Sequence, residues 1–381
     1  MALSWPAGIR SAGIATGIKP TGEPDVGVII LETARPWAGT FTRSGAAAAP
    51  VVWSRGLLGG RLRGLVVNSG NANACTGAAG EAAVTETASA AATALGCDQR
   101  QVAIASTGPI GVPFPLAKVV GGIPDAVTRL ARDATSFADS ILTTDTCRKT
   151  SQSSGAGFTV TGVAKGAAML APNMATMLAF VATDAAADGP VLQRVLTEAV
   201  RTSFDRVDVD GCQSTNDSVF LLSSGTAGPV EERALFAAVS EVCADLAEQM
   251  VRDAEGGSRL VRITVTGAER EDAAEALAHA VAQSALWRAA VHGGDPNWGR
   301  VVAALGAADP MLDLARLTLS IGPEVVFEAG EPGGSLEAAA RALSAGEVTV
   351  VCRVGDGSGE AEVLTTDLSP EYVKLNAGGM S

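Results

Sequence analysis

The sequence has few of the residues that commonly carry enzyme chemistry. Its 381 residues include two histidines, His279 and His292, and six cysteines that form no C-x-x-C pair. A Ser-His-Asp triad needs a histidine beside its nucleophile, and a zinc site needs clustered ligands, so neither is expected. Gly355 to Gly359 lies between two extended stretches, which indicates a hairpin turn rather than a phosphate loop. Any catalysis must therefore use something other than imidazole, a metal or a nucleotide cofactor.

Basic residues, long apolar runs and aromatic residues are also scarce. Lys and Arg number 28 against 41 Asp and Glu, giving a net charge of −13, which argues against a nucleic-acid partner. No apolar run approaches the ~20 residues of a membrane helix, and no signal-peptide pattern opens the sequence. The scattered cysteines indicate free thiols in a reducing compartment, so we expect a cytoplasmic protein without a membrane partner. With 4% aromatic residues, the core is expected to consist of Ala, Val, Leu and Ile.

Hydrophobic periodicity predicts alternating strands and helices, which is typical of a mixed α/β fold. The alternation over Leu260 to Thr266 predicts a half-buried strand. Asp188 precedes an apolar stripe over residues 192–200, as expected for the start of a helix. Two longer stripes predict single helices across residues 127–141 and 274–290.

A glycine-rich segment at residues 293–299 suggests an internal boundary in the chain. Beyond it, apolar runs at residues 317–321 and 348–354 predict the strands of a smaller α/β unit. We therefore predict a catalytic domain over residues 1–290 and a C-terminal α/β domain over residues 291–381.

One segment offers chemistry that needs no histidine. Lys165 to Phe180 reads K-G-A-A-M-L-A-P-N-M-A-T-M-L-A-F, a Pro-Asn turn that enters a strand with Thr176 at the joint. Cleavage of the Ala175–Thr176 bond would place an α-amine, with a pKa near 8, on the residue that bears Oγ1. One residue would then supply both nucleophile and base. From these residues alone, a strand that merely begins with threonine remains the alternative.

The same segment closely resembles the self-cleaving motif of the ornithine acetyltransferase family, the glutamate N-acetyltransferases of arginine biosynthesis. The resemblance extends over nearly the whole chain and is carried by several independent blocks in the same order. These blocks are Val67 to Gly77, Ala105 to Gly108, Thr143 to Thr146, Ser214 to Ser218, Glu255-Gly256, Asp295 to Arg300 and Tyr372 to Asn376.

The resemblance implies an αββα sandwich with a smaller C-terminal α/β unit. It implies cleavage between Ala175 and Thr176 into an α chain (1–175) and a β chain (176–381), assembled as an α2β2 heterotetramer. The new Thr176 terminus would take acetyl from N2-acetyl-L-ornithine, hold it as an ester and pass it to L-glutamate. No cofactor is implied, although acetyl-CoA can serve bifunctional members as a co-substrate.

The resemblance also implies roles for individual residues. Thr107 and Gly108 match the family's oxyanion pair, and Asp217 is a candidate for positioning the catalytic segment. An amino-acid substrate carries a carboxylate and an ammonium group, which Lys165 and Glu255 would complement. The residues that match the family's substrate contacts are Thr143, Lys165, Thr176, Glu255, Asn376 and Ser381.

Several alternatives remain open at this point. The Asn-rich block Asn68 to Gly77 either shapes the pocket or forms tight turns. The tail Asn376 to Ser381 contains two glycines where the family usually has an acidic-aromatic pair, which suggests an altered acceptor, as in relatives recruited to secondary metabolism. The same fold and an N-terminal nucleophile also serve amidases and aminopeptidases. A further alternative is an uncleaved binding protein.

Overall fold

A computed structural model describes residues 3–155, 157–170 and 177–378. The predicted residues Ala175, Thr176 and Ser381 therefore lie outside the described residues. The described chain divides into two compact units. Unit 1 comprises residues up to 205 together with 212–250, and unit 2 comprises residues 206–211 together with those from 251 onward.

Unit 1 contains the strands and helices of the N-terminal two thirds of the chain. Its strands are β1 (Ile9–Ile14), β2 (Val26–Phe41), β3 (Arg61–Ser69), β4 (Val102–Thr107), β5 (Lys149–Gly155), β6 (Phe158–Lys165), β7 (Leu178–Ala186) and β8 (Ser218–Pro229). Its helices are α1 (Ala49–Arg55), α2 (Gly77–Leu95), α3 (Leu116–Thr128), α4 (Thr135–Ile141), α5 (Gly189–Arg201) and α6 (Glu232–Arg252).

The long strand β2 connects two β-layers. The hydrogen-bonded order is β4-β3-β2-β8-β7-β6-β5, with β1 also paired to β2. The first part of β2, from Val26, pairs with β1 and β3, whereas the part from Trp37 to Phe41 pairs with β8. One layer therefore consists of β1 to β4 and the other of β5 to β8, and β2 belongs to both.

The two layers enclose a core that is rich in aromatic rings. Phe180 of β7 stacks on Phe220 of β8 with ring centroids 5.6 Å apart. Phe137 of α4 meets Phe180 edge-on at 5.0 Å, and Trp37 of β2 stacks on Phe220 at 5.9 Å. The other buried residues of this cluster are Ala, Val, Leu and Ile, as expected, and five aromatic residues add to them: Trp5, Trp37, Phe137, Phe180 and Phe220.

Helices cover the outer faces of both layers. Val66 of β3 shares a core cluster with Val84 of α2, on the face of the first layer that points away from the aromatic core. On the second layer, a Cβ added at Gly162 of β6 would lie 2.5 Å from the Val242 side chain and 2.7 Å from the Leu246 side chain. The side chains of α6 therefore pack directly against the main chain of β6. The helix–sheet–sheet–helix order confirms the predicted αββα sandwich.

One predicted helix of unit 1 is interrupted, and another is confirmed. The stripe over residues 127–141 belongs to two helices, α3 and α4, because Ala131 between them forms an antiparallel bridge with Ser11 of β1. Hydrophobic periodicity continued across this bridge, so it could not reveal the break. The predicted start of α5 is confirmed, since the Asp188 side chain accepts a hydrogen bond from the Val191 amide at 2.9 Å.

Unit 2 is built around a mixed sheet in the order β12-β11-β10-β13-β9-β14. Strands β9 and β13 are parallel, and the other pairs are antiparallel. The strands are β9 (Leu260–Ala268), β10 (Thr318–Ile321), β11 (Glu324–Glu328), β12 (Glu331–Pro332), β13 (Glu347–Arg353) and β14 (Gly359–Thr366). The helices are α7 (Glu271–Ala282), α8 (Ala285–Gly293), α9 (Trp298–Ala308), α10 (Leu336–Leu343) and α11 (Pro370–Ala377). In the described ranges, no helix has both the length and the apolar character to cross a membrane.

Strand β9 explains where unit 2 begins. It pairs with β13 on one side and β14 on the other, so the chain from residue 251 belongs with the C-terminal sheet. The sequence pattern had placed this boundary between residues 290 and 291. The prediction of a hairpin turn at Gly355 to Gly359 is wrong, because the flanking strands β13 and β14 lie on either side of β9 and do not pair with each other.

The predicted helix over residues 274–290 is likewise two helices. Helix α7 ends at Ala282, and the Ser284 side chain accepts a hydrogen bond from the Trp287 amide at 3.3 Å to start α8. A serine cap satisfies amides that have no partner in the first turn, so a new helix can begin with only two residues between it and the previous one. Both helices bury apolar residues in the same cluster, which is why their pattern is continuous in sequence.

We predict that Phe137→Ala lowers the free energy of unfolding by about 3–5 kcal/mol, because it removes a buried ring that contacts both Trp5 and Phe180. Denaturant unfolding followed by tryptophan fluorescence measures the loss. Phe114→Ala, at a half-buried position, is the matched control and should cost clearly less. Equal losses in the two variants would contradict the role of the inter-layer core.

Candidate functional site

Two of the predicted site residues contact each other in unit 1. Thr107 is the last residue of β4, and Lys165 is the last residue of β6. Lys165 Nζ donates a hydrogen bond to Thr107 Oγ1 over 3.3 Å, and both side chains are buried. The structure therefore brings a predicted oxyanion residue and a predicted substrate contact into one place.

Gly108 occupies a backbone position that requires glycine. Its φ is +138°, and a Cβ there would lie 2.4 Å from the Asn71 amide nitrogen. The Asn71 amide donates to the Thr107 carbonyl at 3.0 Å, so the two loops touch backbone to backbone. Thr107 and Gly108 are thus held in a fixed turn at the end of β4.

The Asn-rich block after β3 forms the turn that supports Thr107. Asn68 Nδ2 donates to the Asn71 carbonyl at 2.8 Å, and Asn73 Nδ2 donates to the Gly80 carbonyl at 3.0 Å. Ser106 Oγ donates to Asn68 Oδ1 at 2.6 Å, which ties the block to β4. Of the two interpretations left open by the sequence, the described contacts favour a tight turn in which the asparagine side chains form hydrogen bonds with main-chain carbonyl groups.

Asp145 connects two of the predicted substrate contacts. Its Oδ2 accepts a hydrogen bond from the Thr143 amide at 3.1 Å, and its Oδ1 accepts one from the Gly166 amide at 2.7 Å. Lys149 Nζ lies 2.6 Å from Oδ1, and both side chains of this ion pair are 0% exposed. The carboxylate therefore joins the loop that holds Thr143 to the end of β6 that holds Lys165.

The charge state of Asp145 is set by its cationic neighbours. Burial alone would raise the pKa of Asp145, but the charges of Lys165 and Lys149 and the hydrogen bonds from Lys149 and Gly166 lower it to about 2. The group is ionised at neutral pH and interacts electrostatically with both lysines. Sequence reasoning missed this residue, although it stands within the block Thr143 to Thr146, where an acid next to three threonines was the available signal.

Two of the buried polar residues in the loop before β8 hold neighbouring main-chain segments. Asn216 Nδ2 donates to the Ala72 carbonyl at 2.7 Å and to the Ser106 carbonyl at 2.9 Å. Asp217 Oδ1 accepts a hydrogen bond from the Met177 amide at 2.9 Å. This loop thus links the turn around Thr107 with the start of β7.

In unit 2 the structure brings Glu255 and Asn376 together. Asn376 Nδ2, on α11, donates to Glu255 Oε2 at 2.9 Å. Glu255 Oε1 is buried and has no hydrogen-bond partner among the described residues. Gly256 adopts a φ of +68°, and a Cβ there would lie 2.3 Å from the Tyr372 amide nitrogen, so only glycine lets the turn approach α11. An acceptor held beside an amide in this way suits an ammonium ligand.

Both histidines are hydrogen bonded to buried aspartates of unit 2. His292 Nδ1 lies 2.7 Å from Asp367 Oδ2, and the same carboxyl accepts the Ser258 amide at 2.7 Å, which fixes the turn after Glu255. His279 Nδ1 lies 3.2 Å from Asp208 Oδ2. Across the described part of the chain, no group of three or more His, Cys, Asp or Glu side chains is placed to hold a metal ion.

Comparison with known proteins gives a consistent result. The family model described as the ArgJ family matches residues 10–380. The arginine biosynthesis bifunctional protein ArgJ of Thermobifida fusca is 41% identical over 381 residues, with 99% of each chain covered. The protein of the same name from Mycolicibacterium paratuberculosis is 43% identical over 393 aligned positions, which cover 98% of this chain and 95% of that one.

One solved structure matches about half of the chain. The crystal structure of the arginine biosynthesis bifunctional protein argJ from Bacillus halodurans superposes with a TM-score of 0.51 and 34% sequence identity. The match covers 52% of this chain and 98% of the crystallised chain.

We predict that Asp145→Asn lowers the free energy of unfolding at pH 7 by about 3–5 kcal/mol, because it removes a buried negative charge that pairs with Lys149 and attracts Lys165. Asp145 has a pKa of about 2 in the folded chain, below its ordinary value of 3.8. Its contribution is therefore complete above pH 4 and disappears as the pH falls through about 2. Urea unfolding at pH 7 and at pH 2.5 measures both effects, and the difference between variant and parent should shrink at the lower pH.

The double variant Asp145→Asn/Lys149→Met is the control for this prediction. Removing both charges should recover part of the lost stability, because the direct ion-pair partner of Asp145 is then absent, whereas buried Lys165 still loses the attraction of Asp145. A double variant as unstable as the single one would contradict the assignment of the loss to Lys149.

Proposed function

The chain belongs to the ArgJ family and is therefore an ornithine acetyltransferase of arginine biosynthesis, and we propose that it transfers acetyl through Thr176. The observation that carries this proposal is the contact between Lys165 and Thr107. Lys165 pairs in the sheet with Leu178, two residues after Thr176 along the chain. Lys165 is thus in contact with the proposed oxyanion residue and with the strand that follows the proposed nucleophile in the sequence.

We propose that the chain first cleaves itself. Thr176 Oγ1 attacks the carbonyl carbon of Ala175, its proton passes to the Thr176 nitrogen, and the peptide C–N bond breaks to give an ester and a free α-amine. Water then hydrolyses the ester, which releases the Ala175 carboxylate and restores the Thr176 hydroxyl. The crystallised chain of the Bacillus halodurans relative is about half as long as this one, as expected if that protein is cut near its middle.

The cleaved chain would transfer acetyl in two steps. The α-amine of Thr176 accepts the Oγ1 proton while Oγ1 attacks the acetyl carbonyl, and the proton passes to the amine of ornithine as it leaves. The amine of L-glutamate then attacks the acetyl-threonine ester, and Oγ1 regains a proton. Thr107 Oγ1 and the Gly108 amide would stabilise the oxyanion in both steps, a contribution of about 10²–10³-fold in rate per donor.

Substrate recognition is proposed to rest on charge. Lys165 would bind a carboxylate of the amino acid, and Glu255 would bind its ammonium group through Oε1, the oxygen without a described partner. Thr143, Asn376 and Ser381 would complete the set of substrate contacts, with Ser381 outside the described residues. The substrate class is a small charged amino acid.

Further properties follow from family membership and remain proposals. We propose that the enzyme needs no cofactor, because the Thr176 ester stores the acetyl group, and that acetyl-CoA can also load this residue. The bifunctional names of the relatives favour the second point. We propose an α2β2 assembly, and a cytoplasmic location in keeping with six cysteines that form no disulfide bond.

We predict that Thr176→Ala abolishes both self-cleavage and acetyl labelling, because it removes the only atom proposed to carry the acetyl group. Denaturing electrophoresis should show two fragments for the parent chain and a single 38.2 kDa band for the variant. Intact-mass analysis after exposure to N-acetylornithine should show one added acetyl group on the fragment that begins at Thr176.

Thr176→Ser is the matched control and should retain cleavage and labelling, since it keeps the hydroxyl and the α-amine. Label that persists in Thr176→Ala would place the nucleophile elsewhere. Ornithine release that is indifferent to added glutamate would show that water resolves the ester, and the protein would then be an amidase.

We predict that Glu255→Gln raises the KM for N-acetylornithine by about 10- to 100-fold, because a charge-assisted hydrogen bond to the substrate ammonium is replaced by a neutral one. Self-cleavage should be unchanged, since it involves no free amino acid. Glu371→Gln removes an exposed carboxylate of α11 that pairs with Lys374, and should leave the KM unaffected. Steady-state kinetics measures the KM of both variants. Equal KM values would contradict the proposed role of Glu255.

A further inference from the structure

The loop between β1 and β2 holds a lysine that the proposed chemistry does not use. Asp25, which is fully buried, accepts hydrogen bonds through Oδ2 from the amides of Ile18 at 2.7 Å and Lys19 at 3.2 Å. Its Oδ1 accepts the Thr16 amide at 2.7 Å and the Thr16 hydroxyl at 2.8 Å. One buried side chain therefore fixes the main chain of the whole loop, and with it the position of Lys19.

Lys19 lies beside the turn that supports the proposed oxyanion residues. The Ser69 amide, at the end of β3, donates to the Asp25 carbonyl at 2.9 Å, which attaches the loop to that strand. A Cβ built on Gly70 would lie 3.5 Å from Cγ of Lys19. A Cβ built on Gly108 would lie 2.9 Å from Cα of Gly70. Gly70 is therefore next to both the Lys19 side chain and the glycine of the proposed oxyanion pair.

The ammonium group of Lys19 has donors to spare for a ligand. An ammonium group carries three donor hydrogens. Nζ donates to the Pro24 carbonyl at 2.8 Å, and it forms no ion pair with any carboxylate that the structure describes. The side chain is partly buried, and burial of a charge without a counter-charge is unfavourable. A bound anion would supply the missing partner.

Lys19 and Lys165 are close enough to affect each other electrostatically. Burial lowers the pKa of Lys19 from its ordinary value of 10.5, and the charges of Glu23 and Asp25 oppose this effect. The charge of Lys165 lowers the same pKa further, whereas that of Asp145 raises it. Two like charges at one site repel each other, and an anionic ligand offsets the repulsion.

The proposed donor carries its carboxylate close to its acetyl group. In an N2-acetylated amino acid, the amide nitrogen and the carboxylate are attached to the same carbon atom. An acetyl oxygen bound at Thr107 and Gly108 therefore brings the carboxylate near that turn. Both lysines are next to the turn, Lys165 through its contact with Thr107 and Lys19 through Gly70.

We propose that Lys19 is a second cation for the α-carboxylate of the amino-acid substrates and binds this group together with Lys165. The inference rests on the proposed function, and it makes the α-carboxylate a required feature of the donor. No bond forms or breaks at Lys19. Because N-acetylornithine and glutamate share this carboxylate, Lys19 contributes to both steps of acetyl transfer.

The test compares two acetyl donors that differ in the carboxylate alone, N-acetylornithine and N-acetyl-1,4-diaminobutane. Each is mixed in excess with the cleaved enzyme, and intact-mass analysis follows the acetyl group gained by the fragment that begins at Thr176. Lys19→Met should reduce the apparent second-order rate constant by about 10- to 100-fold with N-acetylornithine and by less than about threefold with the carboxylate-free donor. The ratio of the two rate constants does not depend on the fraction of folded enzyme, so a less stable variant still gives an answer.

Two further variants serve as controls. Lys118→Met removes another lysine whose Nζ donates to the same loop, at the Gly17 carbonyl, and should leave both rate constants unchanged. Lys19→Arg keeps a cation at the position and should retain the preference for the donor with a carboxylate. Self-cleavage should be unchanged in all three variants, since it involves no free amino acid.

Several results would overturn the proposal. An equal loss with both donors in Lys19→Met would show that the lysine supports the loop and does not bind the carboxylate. A Lys19→Met variant that is labelled like the parent would show that the ammonium group is not needed. A parent enzyme that reacts equally well with both donors would show that no carboxylate is recognised. Labelling by acetyl-CoA is the remaining arm, and a loss confined to that donor would assign Lys19 to a phosphate.

The failure of this inference and the failure of the proposed function are distinguishable. Label that appears on Thr176→Ala would refute the proposed nucleophile, whatever the Lys19 variants do. Labelling that requires Thr176 but falls equally with both donors in Lys19→Met would refute the role of Lys19 alone.

Discussion

The fold-over of the sheet at β2 is the constraint on which the candidate site of unit 1 depends. Along the hydrogen-bonded path, β4 and β6 are five strand positions apart, which in a flat sheet would separate them by about 24 Å. Yet Lys165 at the end of β6 is 3.3 Å from Thr107 at the end of β4. This contact exists because β2 belongs to both layers, so the outer strands of one layer come to face those of the other.

Two buried acids in this region have pKa values that are shifted in opposite directions. The charges of Lys165 and Lys149 lower the pKa of Asp145 to about 2 against the effect of burial, whereas burial raises the pKa of Asp217 well above its usual range against the same kind of attraction. Lys165 influences both groups electrostatically. Burial and the placement of two lysines thus give the same type of side chain two different tendencies to ionise.

Local signals in the sequence predicted much of the fold, and the resemblance supplied the residues of the site. The cap at Asp188 and the strand over 260–266 were predictable because they depend on neighbouring residues. The break in the helix over 127–141 was not, because it depends on a bridge to β1, more than a hundred residues earlier. The start of unit 2 was missed for the same reason, since β9 pairs with strands far along the chain. Asp145 was overlooked because its importance lies in the lysines that the fold brings to it.

The order of strands has a consequence for a chain cut before Thr176. Strands β7 and β8 would belong to the second fragment, yet they lie between β2 and β6 of the first. Neither fragment would contain the complete sheet of unit 1, and separating them would break two ladders and open the aromatic core. Scission would therefore leave an interlocked pair that behaves as one cooperative body, held together by topology. The maturation would be a one-way event, because neither fragment alone contains all the strands that the sheet of unit 1 requires.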